Sequence, residues 1–361
     1  MHSHTSIDHV DVAIFTIRDF RLASLPRRFN CPKWNRSISF RDARFNVSAC
    51  KDADVVMFTT GKDFTRLEYW RELQAQRKPS QLWLMSTAEA PINTIPTWPP
   101  LTLRYIRMNL SSTFRSDSEI SIPYGEYIPF QENVNVPFRS KLLNDSEKLV
   151  VWVASHCPLR TWNRTRLVHD LSRYVPIDIY GKCGNLRCDD GDRRCFRIFR
   201  SYMFYLALEN SCCSEYITEK LWDALMKYEA IPIVIGASRE EYEKVAPPQS
   251  FIHVNDFASV EHLAKYLHTV ASNLSLYRSY FEWKNHGYIR AHKLYKSVLE
   301  SQDHACMLFE YANGVRPLSV DGFDPFGPSW FGSCQPCGTK SWLHDYYFYP
   351  FQDLYRRIHS N

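Results

Sequence analysis

The chain has 361 residues, enough for two domains of about 100–200 residues each, and 45% of its residues are hydrophobic. Its formal net charge is only +5, from 44 basic and 39 acidic residues that are well mixed, so a nucleic-acid-binding surface is not expected. Eleven cysteines and six Asn-X-Ser/Thr sequons argue against a cytosolic protein and favour the lumen of the secretory pathway.

The first 22 residues are interrupted by charged side chains, which exclude both a signal peptide and an apolar membrane-spanning segment within them. The spacing of the cysteines also bears on whether they bind metal or form disulfides. Metal binding is the alternative to disulfides for Cys183, Cys188, Cys195 and the pair Cys334 and Cys337, but the first three are too irregularly spaced for a zinc ribbon. We therefore expect disulfides, with at least one thiol left over because the cysteine count is odd.

The first half of the chain alternates predicted strands and helices. Strands are expected at Val10–Ile17, Val55–Thr59 and Leu82–Met85, with a helix at Phe64–Gln76. The proline-rich stretch 90–100 must be a loop, because proline removes backbone donors and restricts the residue before it. An irregular polar stretch ends near Glu147, so the first α/β domain is assigned to residues 1–147.

Glu89 follows the strand ending at Met85 and precedes the loop that begins with Ala90-Pro91. Judged by its position alone, it is most simply a solvated loop glutamate. Farther along, Arg115, Asp117 and Glu119 alternate with uncharged residues, so they could share one face of an extended strand or be ordinary surface charges. Divalent-metal ligation is the competing interpretation for these acidic residues.

The second half repeats the α/β alternation. Strands are predicted at 149–153, 177–180, 202–208 and 231–235, and helices at 164–174, 218–227 and 260–270. This half is assigned to residues 148–311, and residues 312–361 form an atypical tail rich in aromatic residues, proline and glycine. Three further acidic residues, Asp189, Asp190 and Asp192, lie in a turn between cysteines, which is ordinary turn composition.

The segment Phe204–Gly236 is the most informative. It places polar and charged residues between a buried strand and an amphipathic helix that Thr218 can cap. Loops that lead from strand ends into helix N-termini bind phosphates in α/β sheets. Lys220 lies in the first helical turn, where the helix dipole disfavours a cation, so it requires either solvent or an anion nearby. The segment therefore predicts a phosphate site.

This segment, ENSCCSEYITEKLWDAL followed by IPIVIG, closely resembles the donor-binding signature of the α-1,3-fucosyltransferases, written FENS, a short gap, then DYITEK. Glu215 stands where that family usually has aspartate. Other blocks agree: WLMSTAEAP resembles the strand and ESP-like motif of the family, FRSDSEISIPYG resembles YRxDSDxxxPYG, and VWVASHC resembles VWVVSNC. The resemblance covers roughly 82–310 and implies a GT-B-like α/β fold of two Rossmann-like domains facing across a cleft.

The resemblance also implies roles for particular residues. Glu89 corresponds to the proposed catalytic base. Asp117 and Tyr124 are weaker candidates near it. Contacts with the donor GDP-fucose are implied for a set in the second half: Arg164, Asn210, Tyr216, Glu219 and Lys220. Arg160 and Arg166 rival Arg164 as phosphate ligands, and an exposed helix arginine is the simpler alternative.

The expected function is inverting transfer of fucose from GDP-fucose to the 3-hydroxyl of a GlcNAc residue in a glycoconjugate. The alternatives are a catalytically inactive secreted glycan-binding protein on the same fold and a transferase that uses another nucleotide sugar. The family has no obligatory metal site, so no metal ligand and no required cofactor are expected, with Mn²⁺ at most stimulatory. The family further implies the Golgi lumen, with membrane attachment only through an anchor that this sequence does not contain.

Overall fold

The structure is a computed structural model, and it describes residues 8–15, 26–59, 66–94, 101–103, 105–137, 148–157, 162–188, 193–291, 299 and 301–346. The chain divides into two compact units, Met1–Pro123 with Lys293–Cys334 and Tyr124–His292 with Gln335–Asn361. These bounds differ from the expected domains 1–147, 148–311 and 312–361. The first unit ends at Pro123, residues 293–334 return to it, and the tail is divided between the two units.

The first unit is built on a seven-stranded sheet in the order β2-β3-β1-β4-β5-β6-β7. Its strands are β1 His9–Phe15, β2 Arg27–Cys31, β3 Arg36–Asp42, β4 Val55–Thr59, β5 Leu82–Ser86, β6 Leu110–Thr113 and β7 Ile120–Ser121. Its helices are α1 Val47–Cys50, α2 Leu67–Gln76, α3 Pro91–Thr94 and, from the C-terminal part of the chain, α10 Gln302–Ala312. All neighbouring strands are parallel except β2, which pairs antiparallel to β3 at the edge.

The core of this unit forms because β1, β4 and β5 are apolar along nearly their whole length, as strands buried on both faces must be. Ser301 begins α10 by accepting a hydrogen bond from the backbone of His304, and Leu308 and Phe309 then pack into the core. Glu310 on the same helix is buried and binds Arg316, Lys33 and the Trp34 indole.

The second unit contains a five-stranded parallel sheet in the order β10-β9-β11-β12-β13. Its strands are β8 Gly125–Pro129, β9 Lys148–Val153, β10 Ile177–Tyr180, β11 Tyr202–Leu208, β12 Ile231–Ile235, β13 Ile252–His253 and β14 Gly287–Ala291. Its helices are α4 Arg164–Leu171, α5 Arg193–Phe199, α6 Glu219–Asp223, α7 Arg239–Val245, α8 Val260–Ser272 and α9 Leu274–Ser279. All residues of β11 and β12 are buried.

A short antiparallel ribbon of β8 and β14 accompanies this sheet. It begins at Gly125, and a Cβ added there would lie 2.5 Å from the ring of Trp222, which is itself buried in α6. Glycine is therefore required at this position so that the ribbon can lie against the α6 ring.

Gly125→Ala should consequently destabilise the protein by about 1–3 kcal/mol, because overpacking a closely packed core forces side chains or backbone to shift. Urea unfolding would measure this, with the neighbouring Glu126→Ala as the control on an exposed side chain of the same strand. An unchanged unfolding midpoint for Gly125→Ala would show that the ring of Trp222 adjusts freely.

Four disulfides lie within the units: Cys31–Cys306 in the first, and Cys157–Cys183, Cys188–Cys195 and Cys212–Cys337 in the second. Cys50 is a buried free thiol, and burial raises its pKa to about 12. The expectation of disulfides is confirmed for the cysteines in these bridges. Cys306 in α10 is thus joined to Cys31 at the end of β2, and Cys337 is joined to Cys212 in the loop after β11.

The predicted α/β alternation is confirmed, and several strands have the predicted bounds. The predicted helix 218–227 is different: α6 ends at Asp223 and continues as a π-helical turn, Ala224–Tyr228. The stretch 114–119 is also different, since it forms a turn between β6 and β7 and is not an extended strand. Among the described residues, no helix combines the length and hydropathy needed to cross a membrane.

Candidate functional site

The carboxyl ends of β9, β10, β11 and β12 meet at one edge of the second unit's sheet, because these strands are parallel neighbours. Ligands bind outside the carboxyl ends of strands in open α/β sheets. Glu209 lies at this edge directly after β11, and its backbone N–H donates to the carbonyl of Ile235 at 3.1 Å. Gly236 follows β12, and a Cβ there would lie 2.7 Å from the Glu209 side chain. Glycine thus leaves room for this carboxylate.

The Glu209 carboxylate is 1% exposed and fully engaged within the unit. Its Oε1 accepts from the backbone N–H of Thr218 at 2.8 Å and from the Thr218 hydroxyl at 2.8 Å. Its Oε2 accepts from the ammonium of Lys220, also at 2.8 Å. The Glu209 backbone carbonyl accepts from the indole of Trp162 at 3.0 Å. Glu209 therefore joins the end of β11 to the start of α6.

Thr218 occupies the N-cap position of α6 as predicted, but its side chain makes no capping hydrogen bond. Its hydroxyl lies between the Glu209 carboxylate and the ammonium of Lys220, 2.7 Å from the latter. A cap forms when a side-chain oxygen accepts from the backbone of the first turn. The hydroxyl of Thr218 instead interacts with a buried ion pair.

Lys220 has the nearby anion that its unfavourable position in the first helical turn requires. That anion is internal: Nζ lies 2.8 Å from Glu209 Oε2 and 3.4 Å from Glu219 Oε1. The side chain of Lys220 is 18% exposed, against 1% for Glu209, so Lys220 is the more accessible member of the pair. The site can therefore present a cation to an anionic ligand.

Arg164 is the first residue of α4, and Asn163 caps that helix. Arg164 is only 8% exposed, and its guanidinium donates to two backbone carbonyls, Leu208 at 3.1 Å and His156 at 2.6 Å. A guanidinium has five N–H donors, so these bonds use two of them. The alternative of an exposed helix arginine is wrong for Arg164, which fixes the strand ends and carries a buried positive charge.

Burial and the attraction between opposite charges shift the pKa values of Glu209, Lys220 and Arg164 in opposite directions. Burial raises the pKa of the Glu209 carboxyl, and Lys220 partly offsets that effect. Burial by itself would lower the pKa of Lys220, but attraction to Glu209 and Glu219 outweighs it, so the pKa is raised above 10.5. Burial lowers the pKa of the Arg164 guanidinium, and attraction to Glu209 opposes that shift. Lys220 therefore stays positively charged at neutral pH.

The remaining predicted donor residues lie on the loop between β11 and α6 and at the start of α6. Tyr216 is 2% exposed, and its backbone N–H donates to Cys213. Asn210 and Glu219 are half-buried. Glu215, the departure from the family's aspartate, has a positive φ of 59° and donates from its backbone to Glu241. Aspartate adopts this left-handed conformation more readily than glutamate, so the substitution carries a local conformational cost.

Glu89 lies in the first unit, three residues after β5 and just before α3, as its predicted place at a strand end requires. Its backbone N–H donates to the Thr87 hydroxyl at 3.0 Å, and its carboxylate accepts from Asn93 at 3.4 Å. The side chain is half-buried. Because the contact to Asn93 is long, the carboxylate is held only weakly. A general base must be able to reach the proton it accepts, and this arrangement allows that.

Arg115, Asp117 and Glu119 do not share one face, because the stretch they occupy is a turn. Arg115 and Asp117 form a two-bond ion pair at 2.8 and 2.7 Å, which lowers the pKa of Asp117. Glu119 points elsewhere and accepts from the backbone and hydroxyl of Ser111 at 2.7 Å. Tyr124 is 9% exposed in the second unit. These contacts stabilise the turn, and they assign no chemical role to its charged residues.

Some predicted candidates fall outside the described residues, namely Arg160, Asp189, Asp190 and Asp192. Arg166 is described, and it donates to the Asp345 carbonyl at 3.0 Å on an exposed surface. Within the described part of the chain, no group of three or more His, Cys, Asp or Glu side chains could hold a metal ion.

Asn163 forms a sequon with Thr165 at this site. Its side-chain oxygen accepts from the backbone of Arg166 at 2.9 Å, and its own N–H donates to the Tyr346 carbonyl at 2.6 Å. It is half-buried, whereas the sequon asparagines Asn35, Asn46 and Asn273 are exposed.

We expect Asn163 to carry no glycan, because a bulky, solvated sugar beside the buried Arg164 would disrupt the packing at the start of α4. Glycopeptide mass spectrometry of protein secreted from a eukaryotic host would measure occupancy, with the three exposed sequons as internal comparison. An occupied Asn163 on a protein that still binds GDP would undercut the assignment of Arg164 to the donor site.

Sequence reasoning missed the central role of Glu209, which it treated only as the polar end of a strand. A usable signal existed. A charged residue directly after seven buried residues is rare unless it is paired, and Lys220 stands eleven residues later with no other expected partner.

Comparison with known proteins shows which family the sequence matches. Residues 4–125 match the family model described as fucosyltransferase, N-terminal, and residues 143–317 match glycosyltransferase family 10 (fucosyltransferase) C-term. A crystal structure described as α1,3-fucosyltransferase with GDP-fucose has a TM-score of 0.53 at 14% identity, covering 90% of this chain and 95% of its own. That likeness supports the predicted GT-B-like fold.

Among curated relatives, α-(1,3)-fucosyltransferase C of Drosophila melanogaster is 34% identical over 275 residues, covering 71% of this chain and 62% of its own length. The Caenorhabditis elegans α-(1,3)-fucosyltransferase fut-1 is 33% identical over 318 residues, covering 86% of this chain and 67% of its own length. The mouse 4-galactosyl-N-acetylglucosaminide 3-α-L-fucosyltransferase 9 is 35% identical over 242 residues, covering 66% of this chain and 61% of its own length. The chain thus spans about two thirds of the length of these relatives. With both family models matched, the chain belongs to glycosyltransferase family 10, the fucosyltransferases.

Proposed function

We propose that the protein transfers fucose from GDP-fucose to the 3-hydroxyl of a GlcNAc residue in a glycoconjugate, with inversion at the sugar. The observation that carries the proposal is the Glu209–Lys220 pair beside Arg164 at the carboxyl edge of the sheet, within a family 10 chain. Three relatives with 3-fucosyltransferase names support it, and the mouse relative's name specifies a galactosylated N-acetylglucosaminide.

In the proposed reaction, the acceptor oxygen forms a bond to the anomeric carbon of fucose while the bond to the diphosphate breaks. Lys220 and the positive end of α6 stabilise the negative charge that develops on the departing GDP. Arg164 adds a fixed positive charge close to the same strand ends. Glu89 accepts the proton of the acceptor hydroxyl, which makes that oxygen nucleophilic.

Asn210, Tyr216 and Glu219 complete the proposed donor site. Glu219, half-buried in the first turn of α6, binds the ribose hydroxyls, for which a carboxylate is a suitable acceptor. Tyr216 supports the loop from within, since its ring is buried, and its hydroxyl reaches the nucleotide only after a local adjustment. No metal takes part in this scheme, so transfer should persist in EDTA and Mn²⁺ should at most stimulate it.

The proposed location is the Golgi lumen. The disulfides fit it, because an oxidising compartment is where such bridges form and persist. No nucleic-acid partner is proposed.

The test is to incubate the purified protein with GDP-fucose, GDP-mannose or UDP-galactose and a panel of N-glycan and N-acetyllactosamine acceptors, with and without EDTA. Fucosylated product from GDP-fucose alone supports the proposal. Product from another donor indicates a different transferase. Tight glycan binding without product from any donor indicates a glycan-binding protein that has lost turnover.

A further inference from the structure

The buried carboxylate of Glu209 has no place in the proposed chemistry, although it is the most heavily bonded side chain of the site. At 1% exposure it is not available to a ligand, and both of its oxygens are already occupied. An isolated buried carboxylate is costly unless it is paired and hydrogen-bonded. Any contribution of Glu209 to donor binding must therefore act through the residues it holds.

Lys220 is the residue it holds most directly. An ammonium has three hydrogens, and three oxygens surround Nζ: Thr218 Oγ1 at 2.7 Å, Glu209 Oε2 at 2.8 Å and Glu219 Oε1 at 3.4 Å. Two of these bonds are short, and the third lies at the long limit for a hydrogen bond. The three contacts are unequal, so an incoming anion would displace the contact with Glu219 first.

We infer that Glu209 is a positioning residue for a nucleoside diphosphate: with Thr218 it holds Lys220 by two short bonds and leaves the hydrogen now directed at Glu219 for a phosphate oxygen. This inference rests on the proposed function. It also explains why Glu219, adjacent to Lys220, becomes free for the ribose when the donor binds. The phosphate replaces one carboxylate contact, and the ammonium itself moves little.

The charges around Lys220 come from every element packed at this edge. Glu209 follows β11, Glu219 and Asp223 belong to α6, and Arg164 belongs to α4. The Tyr242 hydroxyl on α7 also interacts electrostatically with Glu209. Glu209 is the carboxylate closest to Nζ, so its charge is the main reason that Lys220 stays protonated against burial.

Glu209→Gln removes that charge and keeps the shape of the side chain. Transfer should fall roughly 10- to 100-fold, because a small displacement of a catalytic group is enough for that loss. In addition, the alkaline limit of GDP affinity should move down by about 1–3 pH units, the usual effect of losing an adjacent opposite charge. In the wild-type protein Lys220, whose pKa lies above 10.5, should stay charged to about pH 10, so any change in affinity that all the variants share reflects the titration of GDP itself.

The matched control is Glu310→Gln in the other unit. Glu310 is likewise buried, at 8% exposure, and it also pairs with cations, Arg316 and Lys33. This variant should lose stability without any change in the pH dependence of GDP binding. A purely structural role for Glu209 predicts that both variants behave in this way.

The experiment is titration calorimetry with GDP from pH 6 to 10 on the wild-type protein and both variants, with transfer assayed at pH 7. A lower alkaline limit in Glu209→Gln alone supports the inference, and an unchanged limit overturns it. Wild-type protein that fails to bind GDP at pH 7 contradicts the proposed function instead.

Should Glu209→Gln not fold, Glu209→Asp takes its place, since it keeps the charge but withdraws the oxygens by one methylene. The inference then predicts reduced transfer with the same pH dependence of GDP affinity as the wild-type protein, and wild-type transfer by this variant would overturn it.

Discussion

Glu89→Gln should lower the rate of fucose transfer by about 10²- to 10⁴-fold, the usual contribution of a general base, while GDP binding stays nearly intact. The amide has the shape of the carboxylate and can keep the contacts with Thr87 and Asn93, so the loop after β5 should be preserved. It cannot accept the acceptor's proton. The turnover number at saturating GDP-fucose and the calorimetric Kd for GDP would measure the two effects separately.

The control for this experiment is Glu72→Gln, an exposed carboxylate on α2 in the same unit. Its transfer rate should equal that of the wild-type protein. Normal turnover in Glu89→Gln would rule out Glu89 as the base. Loss of GDP binding and turnover together would indicate that the substitution had damaged the fold.

Lys220→Met should have the second largest effect. Removing one preorganised cation from a leaving group costs about 10²- to 10³-fold in rate, so transfer should fall by that factor and the Kd for GDP should rise. The variant also leaves Glu209 buried without its cation. Breaking a buried ion pair from one side costs about 3–5 kcal/mol of stability. Urea unfolding at pH 7 would measure that loss.

The loss should depend on pH in a defined direction. Without Lys220, burial acts on Glu209 unopposed and raises its folded-state pKa further above 4.5. A group with a raised folded-state pKa contributes stability below its unfolded pKa and loses that contribution as the pH rises through the folded value. The stability deficit of Lys220→Met should therefore be smallest below about pH 4.5 and largest at neutral pH.

The double variant Glu209→Gln with Lys220→Met separates stability from function. Its two neutral side chains leave no uncompensated charge, so it should regain most of the stability lost by Lys220→Met alone. Transfer should not return, because the cation is still missing. Additive stability losses in the double variant would show that the two residues do not interact energetically.

Much of the fold could be predicted because β4, β10, β11 and β12 are short apolar runs bounded by polar residues or glycine. Their bounds depend on local composition alone, and each prediction was correct to within a residue or two. The position of Glu89 after β5 was predictable for the same reason. The donor segment could be located because its polar residues fall between a buried strand and an amphipathic helix.

The remaining features depend on contacts between distant parts of the chain. Strands β2 and β3 were missed because Arg27–Cys31 and Arg36–Asp42 are rich in arginine and look like a charged loop. Helix α10 joins the first unit from far along the chain, through Cys306 and its apolar face. No hydrophobic periodicity in the sequence indicates that this helix packs against the first unit.

The site shows the same limit. Lys220 was recognised as needing an anion, but only the fold brings Glu209 within 2.8 Å of it. Arg164 was expected to be available to phosphate, yet it lies buried against two carbonyls whose positions depend on how β9 and β11 end. Residue types could be predicted from sequence, whereas their partners could not.

The most direct test of the central claim is the structure of the product formed from GDP-fucose and a GlcNAc-terminated or N-acetyllactosamine acceptor. Two-dimensional NMR of the purified product identifies both the anomeric configuration of the fucose and the oxygen that bears it. We expect α-linked fucose on the 3-hydroxyl of GlcNAc, formed by the wild-type protein and lost in Glu89→Gln. Fucose on another oxygen, a retained β-configuration, or no product from a protein that binds neither GDP nor GDP-fucose would contradict it.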